Sequence, residues 1–124
     1  MVTSPDDRDA IRELLALYCW YIDTGVAEEW ADLYTEDGRF EGNGAPIVGR
    51  EALRAFASTL DSGSMHRMVT NEVIDVDDGD ATCRSSILIT SGGTIVMTGR
   101  VYDELRRVGG RWRIAHRRFT ADPR

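Results

Sequence analysis

A chain of 124 residues, 42% apolar and 29% charged, is long enough for one packed core and too apolar to stay disordered. A net charge of −6 weighs against nucleic acid and anionic membranes as partners, and no apolar run is long enough to cross a bilayer. Cys19 and Cys83 lie far apart with no signal-peptide pattern ahead of them, so both are expected to be reduced packing residues in a cytoplasmic protein.

Met1 to Pro5 reads as a loose arm, after which Asp6 or Asp7 can cap a first helix. In that helix Ile11, Leu14, Leu15, Tyr18 and Ile22 recur at three- and four-residue spacing and form one buried stripe. Asp23 ends it, just ahead of the glycine that stops it. A second helix is predicted near Ala27 to Thr35, then a short strand from Arg39, a hairpin signal at Gly42-Asn43-Gly44 and a return strand at Ile47 and Val48. A third helix follows, with Leu53, Phe56, Ala57 and Leu60 inward, ended by Asp61-Ser62-Gly63-Ser64.

From there the period changes from 3.6 to 2. Strands are predicted near Met65 to Val76, Ala81 to Thr90, Thr94 to Arg107 and Arg111 to Thr120, joined by Gly-containing turns. Three helices followed by four long strands predict a single α+β domain over residues 1–124, with helices on the concave side of a curved sheet. Such a sheet leaves a cone, and concave apolar spaces with a few polar groups are where small molecules bind. Leu33, Phe40, Phe56, Met65, Met68, Ile87 and Met97 are candidate lining residues, with Tyr18 as a phenolic hydrogen-bonding group.

An unpartnered buried carboxylate is very unfavourable, so Asp23 needs a partner if it follows the stripe inward. His66 and His116 are the candidates that can exchange a proton at neutral pH. Asp23 could orient His66 as a general base. His116 shares a face with Trp112 and Ile114 by alternation, Arg117 lies on the other face, and at most one of the two should enter the cone. Glycine-rich phosphate loops, nucleophile elbows and metal-ligand spacings are missing, so no cofactor and no metal are expected. Asp75, Asp77, Asp78 and Asp80 form a solvated turn rather than a calcium loop. The basic cluster from Arg106 to Arg118 reads as a solvated or interface face.

The segments YCWYIDTG, W-x-x-L-Y-T-E-D-G-x-F, VGREALRAF, MHRMVTN and GRWRIAHRRF together resemble the SnoaL-like family, of the nuclear-transport-factor-like superfamily that includes ketosteroid isomerase. The resemblance runs from about Arg8 to Phe119 and implies a cystatin-like α+β barrel. Its nearest pattern is that of scytalone dehydratase, bile-acid dehydratase and hexachlorocyclohexane dehydrochlorinase. That pattern implies a catalytic Asp23–His66 dyad with Tyr18 as acid or hydrogen-bond donor, acting on a small apolar ring or polyketide-like substrate. A lysine takes the Tyr18 place in the dehydrochlorinase, and the second pocket histidine of scytalone dehydratase falls on Ser85 or a neighbour. The implied activity is that of a cofactor-free lyase (dehydratase) or isomerase, in a homodimer or homotrimer. The rival reading is a non-catalytic small-molecule-binding or dimerisation module of the same fold.

Overall fold

The computed structural model describes residues 5–42, 44–60 and 63–123. The expected loose arm up to Ser4, Asn43 of the hairpin signal, and Asp61 and Ser62 after the third helix lie outside the described residues.

Helix α1 spans Pro5–Thr24 and stops at Gly25, whose φ of 77° an L side chain resists. Its apolar stripe is buried as the spacing requires, with Ile11 and Leu15 fully enclosed. Asp7 does not cap the helix. Its Oδ1 accepts the Trp112 indole N–H and an Arg107 N–H, both at 3.1 Å, which ties the start of α1 to the end of the sheet. Helix α2 is shorter than its predicted extent, covering Ala27–Asp32, because strand β1 (Tyr34–Glu41) begins at Tyr34. Tyr34 pairs with Ile114, and aromatic and β-branched residues such as Tyr34 and Thr35 suit a strand better than a helix end. Strand β2 (Ile47–Val48) pairs back on β1, and helix α3 covers Arg50–Ser58.

The long strands are β3 (Met65–Asp77), β4 (Asp80–Ser91), β5 (Thr94–Val108) and β6 (Arg111–Ala121). They form one six-stranded sheet in the order β2-β1-β6-β5-β4-β3, antiparallel except where β1 runs parallel to β6. The main core joins the α1 stripe, Trp30, Tyr34 and Leu53 to Ile74, Cys83, Leu105 and Ile114. A second apolar cluster, Ile87, Ile89 and Val101 with Met65, Met97 and Phe119 against it, forms the wall of the cone farther along the strands.

Strand β3 is an edge, and α1 fastens it. The Arg67 backbone N–H donates to Asp23 Oδ2 at 2.9 Å, and the Arg8 guanidinium donates to the Ile74 carbonyl. Both groups belong to the strand side that faces away from β4 and would otherwise lack a partner.

Two strand irregularities decide which side chains face the cone. On β3, Ile74 and Val76 point inward, and unbroken alternation would bring Thr70, Met68 and His66 in with them. Between Thr70, opposite Ser86, and Val73, opposite Arg84, the strand carries one extra residue, with Asn71 at a φ of 58°. That bulge inverts the phase. Met65, Arg67 and Val69 turn inward, whereas His66 and Met68 are exposed. On β6, Ile114 lies opposite Leu105 and His116 opposite Glu104, so Ala115 is the extra residue. Trp112 and Ile114 face the core on one side of this bulge, and Arg117 faces it on the other.

Candidate functional site

The cone encloses a cavity of about 430 Å³. Tyr18 and Ile22 come from α1, Trp30 from α2, Phe40 from β1 and Phe56 from α3, and the sheet supplies Met65, Ile87, Met97 and Phe119. The aromatic side forms a connected set. Trp30 lies 5.2 Å centroid to centroid from both Tyr18 and Tyr34, and Phe40 stacks on Phe56 at 5.9 Å. Of the predicted lining, Tyr18, Phe40, Phe56, Met65, Ile87 and Met97 border this space. Leu33 does not; it is buried in the main core, and its carbonyl accepts the Ile114 N–H. Met68 is 42% exposed on the outer face, put there by the Asn71 bulge.

The expected contact between Asp23 and His66 is not formed. Asp23 Oδ1 accepts from Arg67 Nη1 at 2.5 Å and Oδ2 accepts from the Arg67 backbone N–H, so one residue occupies both oxygens. The carboxylate and guanidinium are largely shielded, at 11% and 16% side-chain exposure. His66 and Asp23 border the same outer groove between α1 and β3, but the imidazole has no partner among the described residues. The inward position facing Asp23 therefore holds a guanidinium, which cannot accept a proton at physiological pH.

His116 does not reach the cone either. Its Nε2 meets Glu41 Oε1, and its Nδ1 lies 3.8 Å from Glu104 Oε2, on the outer side of the sheet. The Ala115 bulge sends Arg117 inward in its place.

Arg117 and Asp103 are the buried polar centre of the cone. They sit directly opposite on β6 and β5, with Arg117 Nε donating to Asp103 Oδ1 at 2.7 Å and Nη2 to Oδ2 at 3.0 Å. Their side chains are 2% and 0% exposed. The guanidinium lies 3.9 Å above the Tyr18 ring, and the Tyr18 hydroxyl is 2.7 Å from that of Tyr34. Burial works against the Arg117 charge, but the Asp103 carboxylate outweighs it and raises the pKa well above the ordinary value. Burial raises the Tyr18 pKa, against the pull of Arg117, and lifts that of Tyr34 still more clearly. Both phenols are neutral donors or acceptors near neutral pH.

Arg117 carries five N–H donors, and the fork to Asp103 uses one on Nε and one on Nη2. Its Nη1 takes no part in that fork; the guanidinium also meets the Tyr18 phenol, and the residue borders the cavity. A sequence signal for this centre exists in Val101-x-Asp103-x-Leu105, where an acid shares the buried face of a strand with two aliphatic residues. Among the described residues no cluster of three metal-ligating side chains occurs.

The SnoaL-like domain family matches the chain over residues 4–118. Rv3472 of Mycobacterium tuberculosis, a protein of unknown function solved in a form with an aspartate-to-asparagine substitution, is 34% identical over 98% of this chain and 79% of its own, with a TM-score of 0.91. A Nostoc punctiforme protein of unknown function with a cystatin-like fold is 22% identical over 99% of this chain and 96% of its own, at a TM-score of 0.92. A candidate scytalone dehydratase from Novosphingobium aromaticivorans is 22% identical over 94% of this chain and 85% of its own, at 0.83. These last two likenesses speak to fold. No curated protein matches the sequence.

Proposed function

The chain belongs to the SnoaL-like family, and from that premise we propose that its cone binds a small, mostly apolar ring compound by one oxygen atom, held at Arg117. The observation that carries this reading is a buried cation that Asp103 holds in the cavity wall beside the Tyr18 phenol, with its Nη1 outside the fork to Asp103. Asp103 balances the charge, so a carbonyl or hydroxyl oxygen suits the site without requiring an anion. A cavity of about 430 Å³ fits a one- or two-ring molecule, and the surrounding aromatic and aliphatic side chains supply its apolar contacts.

A second reading rests on the same groups. The fold is consistent with dehydratase, isomerase or cyclase-type chemistry, and a cation over the neutral Tyr18 phenol is suited to stabilise negative charge growing on a carbonyl oxygen. In that reading Arg117 and Tyr18 form the electrophilic side of the reaction. His66 would be dispensable.

Titrating 1-tetralone and its oxygen-free counterpart tetralin, with Trp30 fluorescence as reporter, tests the binding proposal. The ketone should bind at least tenfold more tightly, since one hydrogen bond to a charged donor contributes about 1.5–3 kcal/mol. Equal affinity for the two, or no saturable binding of either, overturns it. His66→Ala should leave the ketone affinity unchanged; loss of binding in that variant would return the imidazole to the site.

A further inference from the structure

Most arginines among the described residues are engaged. Arg12, Arg39, Arg50, Arg54, Arg67, Arg106, Arg107 and Arg117 meet carboxylates, and Arg8 and Arg113 donate to backbone carbonyls. Among the described residues the side chains of Arg84, Arg100, Arg111 and Arg118 have no hydrogen bond or ion pair. Three of those four, Arg84, Arg100 and Arg118, border one depression of about 670 Å³ on the outer face of β4, β5 and β6.

The register explains why they converge. Arg84 lies opposite Tyr102, and Tyr102 opposite Arg118, so two arginines flank one tyrosine across three strands. Arg100 is two residues before Tyr102 on the same face and lies diagonal to both. Directly opposed residues are about 5 Å apart and diagonals about 7–8 Å, within reach of these long side chains. Arg118 already rests 4.8 Å above the Tyr102 ring, which fixes one of the three. Asn71 and Thr120 add uncharged polar groups to the rim, and no carboxylate borders the depression.

Like charges gathered on neighbouring strands repel one another and destabilise the fold. With 21 acidic residues against 15 basic ones, leaving these three without an ion pair is not forced by composition: Glu41, opposite Arg118, and Glu104, diagonal to Arg84 and Arg118, meet His116 instead. We propose that this outer depression is a binding site for a compact oxyanion of the phosphate class, distinct from the cone. Guanidinium forks match phosphate oxygens in pairs, and three of them can engage one group from different sides.

Calorimetric titration of the full chain with inorganic pyrophosphate, at fixed ionic strength held with chloride, tests this. Saturable one-site binding is expected, weakened at least tenfold in Arg84→Gln and in Arg100→Gln and steeply reduced by added salt. Arg111→Gln, an unpaired arginine outside the depression, should bind as the parent does. All of these positions are exposed, so the variants should keep the parent's circular dichroism and melting temperature. Absence of saturable binding, or equal weakening by Arg111→Gln, overturns the site. So does sedimentation showing the face covered by a second copy of the chain whose association the Arg100→Gln variant abolishes and pyrophosphate does not affect. Tetralone binding in the cone is unaffected by these variants if the two sites are separate, so the two proposals fail independently.

Discussion

Arg117 is the residue on which the interior most depends. Arg117→Met leaves the Asp103 carboxylate fully buried without its partner, and removing one member of such a pair destabilises by about 3–5 kcal/mol. The double variant Arg117→Met with Asp103→Leu should recover much of that loss in urea unfolding while losing the preference for the ketone. The two buried thiols give a separate prediction. Burial pushes Cys19 up to about 11 and Cys83 up to about 12, whereas an unfolded cysteine ionises near pH 8.5. The folded state thus holds protons that the unfolded state has released, and stability is lost as pH rises from about 9 towards those values. Tyr18 and Tyr34, both raised by burial, act in the same direction at still higher pH. Urea midpoints should fall between pH 8 and 10.5, by up to about 1.4 kcal/mol per pH unit for each thiol within its window, and the fall should flatten in Cys19→Ala with Cys83→Ala.

At the scale of elements, sequence periodicity disclosed most of what the chain does. The α1 stripe, the third helix and the four long strands form where apolar spacing puts them, since each pattern has a single period over many residues. The orientation of His66 and His116 was not legible, because a bulge adds one residue without breaking the strand composition around it. Asn71 is a mild hint, as asparagine tolerates a positive φ, but Ala115 carries no such signature. Arg67 thereby took the place expected of an imidazole. Gly99 is a third fixed point: an added Cβ there would lie 2.4 Å from the Thr120 carbonyl oxygen and 2.8 Å from a Phe119 ring carbon. Gly99→Ala should destabilise by about 1–3 kcal/mol and, by pushing Phe119, alter ligand affinity in the cone, which paired unfolding and titration measurements would show.

Over the whole molecule, charge is sorted by location. Inside the cone each arginine is matched by an aspartate, Arg67 with Asp23 and Arg117 with Asp103, which leaves a space that is polar in places and close to neutral. Outside, three of the four unmatched arginines among the described residues collect on one sheet face, while the acidic residues are spread over helices, strands and turns. The family fold thus presents two surfaces of different chemistry from one sheet, an apolar inner wall and a cationic outer patch.

The fastening of β3 by α1 also bears on how the protein fails. Asp23 and Arg8 occupy backbone groups that another chain's strand would need in order to add to this edge. Loosening the helix would expose a thirteen-residue adhesive border, so partial unfolding at that one place should seed fibrils or precipitates well before the sheet itself melts.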